Sequence, residues 1–287
     1  DGDDLLLQFV GQRGVGHEVD RRGDRVGTLR TPPVVAAGPI GARLAASRPP
    51  TPEAADGLGR SVGGTGAGEA LFNQLLRRVG HAFAESDVRR LQERLGEDWH
   101  YDLCNVPLRP GKPLLLGLNP GRDPRAHHTP QSVYPNERQY ELVSGWRFIA
   151  RSRGYLERFL GPVKELNYFN VCPFRTPGIS SLTERDWRLG IESFFLDAID
   201  FVAPPMALLL GTTGVGALSQ QGIVVVDQVE VDGDIRPVRG WAGYLRGRDG
   251  ARYPFGSVPH PNNPLTTNER DSIWRAVFGR LAARDTQ

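Results

Sequence analysis

Cysteine, methionine and lysine are nearly absent from this chain. Cys104 and Cys172 are its only cysteines, Met206 its one methionine, and Lys112 and Lys164 the only lysines among 35 basic residues. Two scattered cysteines exclude a disulfide framework, a four-cysteine zinc site and an iron–sulfur cluster. Long apolar runs are missing too. The longest, residues 194–210, is interrupted by Asp197, Asp200 and the Pro204-Pro205 pair, so it does not lie continuously in hydrocarbon. No charged leader precedes an apolar segment and a small-residue cleavage site, and the expected compartment is the cytoplasm. Nor does one sign of charge dominate: 35 basic against 33 acidic residues leave a formal charge of +2. Arginine suits bidentate phosphate contacts, but the same bias follows from GC-rich codons, so composition alone names no partner.

What is present is enough apolar material, 39% of 287 residues, for one good-sized core, and a single domain of about 200 residues plus a tail fits the usual range. Residues 1–66 are rich in Gly, Pro and Arg and hold no sustained period, which predicts a poorly ordered arm followed by a folded domain over 67–287. From Glu69 onward Leu71, Phe72, Leu75, Leu76, Val79 and Phe83 fall at helical spacing, and Ser86 caps a second helix running to Leu95. Four short apolar runs follow, at 114–118, 166–171, 206–210 and 253–258, with helical patterns between them at 137–151 and 184–202. Strands buried on both faces and alternating with helices predict an α/β fold, a three-layer αβα sandwich around a central, mostly parallel, four-stranded sheet. Ligands in such folds bind at the carboxyl ends of the strands.

The loops at those ends are unusual in content. The first strand runs into Gly117-Leu118-Asn119-Pro120-Gly121, where the glycines allow close backbone approach and the proline stiffens the turn. The second ends in Asn170-Val171-Cys172-Pro173-Phe174. The last ends in Pro259-His260-Pro261-Asn262-Asn263-Pro264, followed by a capping box at Thr266–Glu269 and a final helix whose buried face is Ile273, Trp274, Val277, Phe278 and Leu281. Taken singly, Asn-Pro-Gly and Pro-Asn-Asn-Pro are ordinary turn sequences.

Taken in order, over about residues 95–283, the three loops resemble the motifs of the uracil-DNA glycosylase superfamily, most of all its single-strand-selective monofunctional branch. That resemblance implies a metal-free, cofactor-free DNA glycosylase, a monomer acting on single- or double-stranded DNA in base excision. It would flip a pyrimidine out of the stack and hydrolyse its N-glycosidic bond. The catalytic residues it implies are Asn119, to position the water, and His260, held neutral, to donate to O2 of the departing base. Gly117, Leu118 and Gly121 would frame the base, Asn170 would read its Watson–Crick edge in either amide orientation, and Phe174 would stack on it. Asn262, Asn263 and Leu265 would contact DNA, Leu265 as a wedge. Five arginines between 236 and 252, Arg246 and Arg248 among them, interleave with Trp241 and Tyr244 and offer either a phosphate track or a solvated hairpin rim.

Two departures keep the substrate open. Only two residues separate Pro261 from Pro264, and the first motif continues as Arg122-Asp123-Pro124-Arg125-Ala126-His127-His128 instead of a small apolar segment. Three readings therefore stand side by side: a uracil-type repair glycosylase, a phage-defence glycosylase taking a bulky modified cytosine such as glucosylated hydroxymethylcytosine, and an inactive DNA-binding domain. Arg122, Arg125, His127 and His128 line an enlarged pocket on the second reading and touch phosphates on the first. The pocket version makes a measurable prediction. Base release from glucosylated hydroxymethylcytosine in DNA should exceed that from uracil, and His127→Ala/His128→Ala should erase the difference, at about 1 to 3 kcal/mol per lost buried hydrogen bond. Uracil release that exceeds it and is indifferent to the double substitution assigns the segment to the backbone.

Overall fold

A computed structural model of the chain describes residues 64–121 and 129–284, so the expected arm, but for its last three residues, lies outside the described residues. The first helix, α1 (Gly64–Glu85), starts earlier than the apolar pattern does, and buries Phe72, Leu75, Val79, Ala82 and Phe83 at the predicted spacing. Ser86 closes it and opens α2 (Asp87–Leu95): its hydroxyl donates to Phe83 O at 2.6 Å and accepts from Arg89 N at 3.1 Å. Gly96, at φ 64°, ends α2 in the left-handed conformation that glycine tolerates without a Cβ clash.

The four apolar runs become β1 (Leu114–Gly117), β2 (Asn167–Asn170), β3 (Ala207–Leu210) and, last in the chain, β6 (Arg252–Val258), all parallel in the order β2-β1-β3-β6. An antiparallel hairpin of β4 (Val224–Val231) and β5 (Val238–Arg246) then adds to the β6 edge, so the sheet has six strands and not the expected four. The chain is thus α/β with a mostly parallel sheet. The hairpin escapes an apolar-run reading because β4 carries polar residues on its open face and β5 carries glycines. A Cβ at Gly240 would stand 2.6 Å from Val277 Cγ2, and one at Gly243 2.0 Å from Val225 O. Those contacts admit only a residue without a side chain.

Two helices replace the single one expected over 137–151: α3 (Gln139–Ser144) and α4 (Arg147–Phe159), separated at Gly145-Trp146. The pattern over 184–202 becomes α5 (Glu184–Gly190), a π turn over Ile191–Phe195, and α6 (Leu196–Val202). The remaining helices are α7 (Val215–Gln220) and α8 (Thr267–Arg284). Alternate strand residues feed two separate apolar clusters. Leu114, Leu116, Phe169, Leu209 and Phe255 join α1, α2, α5 and α6, whereas Leu115, Tyr168, Leu208, Leu210 and Val258 join α3, α4 and α8. Helix α4 runs along the second cluster. Its Trp146 and Phe148 end meets the Tyr168 ring, Arg151 donates to Asn262 Oδ1, and Tyr155 and Phe159 stack on Trp274 of α8. Among the described residues, no helix is long and apolar enough to cross a membrane.

One buried carboxylate joins α2 to α5. Asp186, fully buried, accepts from Asp87 N at 2.8 Å and Val88 N at 3.3 Å through Oδ1, and from Thr183 N at 2.9 Å and Thr183 Oγ1 at 2.8 Å through Oδ2. It satisfies the first amides of one helix while completing the capping box of the other. Asp186→Ala should therefore lower the unfolding free energy by about 3 kcal/mol, since charge-assisted bonds to buried amides are lost together. Urea unfolding followed by circular dichroism measures it; a change below about 1 kcal/mol would show that water replaces the carboxylate at no cost.

Candidate active site

Parallel pairing brings the three motif loops to one edge. Gly117 is level with Asn170 across β1 and β2, and Leu210 with Val258 across β3 and β6. Asn119 and His260 each lie two residues beyond that level. Their strands stand two places apart in the sheet, about 10 Å at normal strand spacing.

Asn119 is oriented by its neighbours. Its Nδ2 donates to Thr176 Oγ1 at 2.8 Å and to Pro120 O at 3.2 Å, and the Thr176 hydroxyl itself donates to Gly178 O at 2.8 Å. A hydroxyl whose proton is committed to a carbonyl can only accept from the amide, so the amide nitrogen faces Thr176 and Oδ1 is left as the acceptor. An acceptor of this kind can hold and aim a water molecule. The loop that carries Asn119 is itself fastened: Val171 N and Cys172 N donate to Gly117 O and Leu118 O, Thr176 N donates to Pro120 O, and Arg175 bonds both Gly121 O and the Asp102 carboxylate. Thr176 and Arg175 were not among the expected site residues, although they continue the Asn-x-Cys-Pro segment directly.

His260 is half-buried, and its Nδ1 accepts from Asn262 N at 3.2 Å. An accepting Nδ1 places the proton of the neutral ring on Nε2. Burial, and then the guanidinium groups of Arg151 and Arg270, lower its pKa below the ordinary 6.5, so the neutral Nε2–H form prevails at neutral pH. Asn262 and Asn263 are exposed at the loop tip, where Asn262 meets Arg151 and the Asn263 carbonyl accepts from Arg270 at 3.2 Å. Sequence reading passed over both arginines, which nothing in their local pattern sets apart.

Asn170 is 4% exposed and its amide hydrogen-bonds to no other described residue. Gly117 makes room for it: a Cβ there would lie 2.0 Å from Asn170 Oδ1. Leu118 is half-buried against Gly214, and Gly121 is half-buried beside Arg175.

Other expected residues fall elsewhere. Phe174 is fully buried, edge-on to Phe83 at 5.7 Å, and is a core ring that no base can reach. Leu265 leans half-buried on the second cluster, so the exposed tip beyond His260 is Asn262–Pro264. Arg246 and Arg248 stand at the opposite end of β6, six residues or about 20 Å from the Val258 level, and Arg248 is taken up by Asp197 at 3.0 Å. A cleft of about 570 Å³ lined by Tyr244, Arg252, Arg280 and Arg284 also lies at that far end and holds none of the motif residues. Arg122, Arg125, His127 and His128 lie outside the described residues.

Burial holds both Cys104 and Cys172 as neutral thiols well above their usual range, which leaves neither a nucleophile. Among the described residues, no group of His, Cys, Asp and Glu could hold a metal ion. No family model matches the chain, and no curated protein matches it.

The electrostatics of His260 can be tested directly. Folding favours its neutral form, so its contribution to stability is present above pH 6.5 and disappears as the pH falls through the lowered folded-state value. Nitrogen-detected NMR titration should find the Nε2–H tautomer at pH 7 and a midpoint below 6.5. Arg151→Ala should raise that midpoint without restoring the ordinary value, because burial remains. A midpoint above 6.5, or an Nδ1–H tautomer, would refute the assignment.

Proposed function

We propose that the chain is a monofunctional DNA glycosylase of the uracil-DNA glycosylase kind, which hydrolyses the N-glycosidic bond of a flipped pyrimidine and leaves an abasic site. The observation that carries this reading is the carboxyl edge of the parallel sheet, where an oriented Asn119 acceptor, a buried Asn170 amide and a neutral His260 donor converge. Apolar clusters with helices on both faces of the sheet support the three-layer sandwich expected from the alternation of strands and helices. DNA would be the partner of a monomer working in whichever compartment holds that DNA, with Arg151 and Arg270 beside His260 as the phosphate contacts.

In this scheme the glycosidic bond breaks first, giving an oxocarbenium-like sugar and an anionic base. His260 Nε2–H hydrogen-bonds O2 of the departing base and stabilises its charge without giving up the proton. Asn119 Oδ1 holds a water on the other side of C1′. An amide takes no full proton, so the water adds to a carbon that is already strongly electrophilic, and its proton leaves to solvent. The base anion is protonated by solvent after release. A gap of about 10 Å between the two strand ends suits a nucleoside lying between them.

Asn119→Ala and His260→Ala should each lower base release by about 100-fold or more, roughly 2.7 kcal/mol of transition-state stabilisation, while the melting temperature moves by less than about 3 °C. Excision from oligonucleotides containing uracil, hydroxymethyluracil, hydroxymethylcytosine or glucosylated hydroxymethylcytosine, in single and double strands, is the measurement. Near-wild-type rates in either variant would remove that residue from the mechanism. Tight DNA binding with no base release by the wild type would make the chain a binding module. Thr176→Val should act more mildly, lowering kcat by about tenfold with KM unchanged, since it frees the Asn119 amide to rotate without touching the substrate.

A further inference from the structure

Two nearly buried side chains on β2 carry polar atoms that hydrogen-bond to nothing among the described residues and yet are not sealed from water, and they sit side by side. Tyr168 and Asn170 are separated by two positions, so both point to the same face of the strand, and they are 7% and 4% exposed. Both border one point: a Cβ at Gly117 would be 2.0 Å from Asn170 Oδ1 and 3.4 Å from Tyr168 Oη. The other deeply set tyrosines behave differently. Tyr140 donates to Pro107 O at 2.7 Å, Tyr134 meets Leu108 N at 2.8 Å, and Tyr253 donates to Asp200 at 2.9 Å. Polar atoms that open to water from nearly buried residues, side by side and paired with nothing among the described residues, line a recess where a ligand's own polar groups can complete them.

We propose that Tyr168 determines substrate specificity, its hydroxyl donating to an oxygen on the C4–C5 side of the pyrimidine whose edge Asn170 reads. This inference rests on the glycosylase reading and narrows its substrate class. The Asn170 amide has a donor and an acceptor and pairs equally well with either edge by rotating. The hydroxyl breaks that symmetry. Its proton has no described acceptor in the protein, so the ligand supplies one. O4 of uracil-type bases does so, and so does the hydroxymethyl oxygen on C5 of modified pyrimidines; the amino group of plain cytosine does not. Burial raises the Tyr168 pKa, which keeps the hydroxyl protonated and a donor at every working pH. The ring itself is held by Trp146, edge-on at 5.2 Å, and by Phe148 at 6.1 Å, so the hydroxyl does not swing away when the site is empty.

The test is Tyr168→Phe, which keeps the ring and deletes the donor, alongside wild type. Excision from DNA bearing uracil, hydroxymethyluracil, hydroxymethylcytosine, glucosylated hydroxymethylcytosine or cytosine is followed together with thermal unfolding. The wild type should release one or more of the oxygen-bearing bases and leave cytosine. Tyr168→Phe should lose at least about tenfold in kcat/KM on the preferred base while its melting temperature stays level or rises, since the hydroxyl removed makes no hydrogen bond to any described residue. Unchanged kcat/KM in an active, folded Tyr168→Phe protein overturns the assignment and leaves the glycosylase reading standing. If the wild type releases no base at all, that reading fails, and thermal shifts with free uracil, hydroxymethyluracil and cytosine decide the remaining question. A shift given by the first two bases only, and lost in Tyr168→Phe, upholds the Tyr168 contact; equal shifts in both proteins, or none, overturn it.

Discussion

The hydrogen bonds between β1 and β2 do not stop where the strands stop. They continue from Gly117 and Leu118 to Val171 and Cys172, skip to Pro120 and Thr176, and finish at Gly121 under the Arg175 guanidinium, which is neutralised by Asp102. This continued pairing turns two loops into one rigid strip. Asn119 hangs from it, with its amide fixed by a threonine of the opposite loop, and Asn170 is built into its base. On the proposed function, a loop aiming an uncharged acceptor at a water would have little electrostatic pull to correct a poor angle, and backbone rigidity would supply the accuracy.

Much of this was legible in the sequence, and the reasons divide cleanly. Apolar runs such as Leu114–Gly117 show because a strand buried on both faces tolerates nothing else, and Ser86 shows because a helix end requires a side-chain acceptor. The positions of Asn119, Asn170 and His260 at strand ends followed from those runs alone. Phe174 misled because an aromatic after Cys-Pro reads the same whether it faces a base or the core; its partner Phe83 is 91 residues away, and no local pattern reveals that contact. A hairpin over 236–252 was one reading of the arginine-rich segment, but its pairing into the sheet was hidden by a half-exposed strand and by glycines that serve packing. Tyr168 was hidden by success: it belongs to an apolar run and was absorbed into the strand that the run predicted.

Arginine carries almost all the positive charge, and the fold sorts it by position. At the far end of β6, Arg78 and Arg248 converge on Asp197, while Asp227 of β4, level with Gly256, takes Arg280 and Arg284 of α8. Those pairs tie the hairpin and α8 to their neighbours, and being partly exposed they add little stability each. At the carboxyl edge Arg151 and Arg270 instead meet the Asn262 amide and the Asn263 carbonyl of the His260 loop, and no carboxylate among the described residues pairs with them there. A chain whose formal charge is only +2 thereby gathers positive charge at one end among its described residues, a field that salt screens within about 10 Å.

Helix α4 touches the Tyr168 ring, the His260 loop and the Trp274 stack in succession. On the proposed function, the two ends of the nucleoside would be referenced to a single helix whose other side is anchored in the aromatic core. If the proposed function holds, an enzyme assembled this way would have no separate hinge between site and core among its described residues. Warming would soften the site and the interior together, so its working range would end where its core melts, and a relative adapted to heat would be expected to change the buried side of this helix and leave the strand-end loops alone.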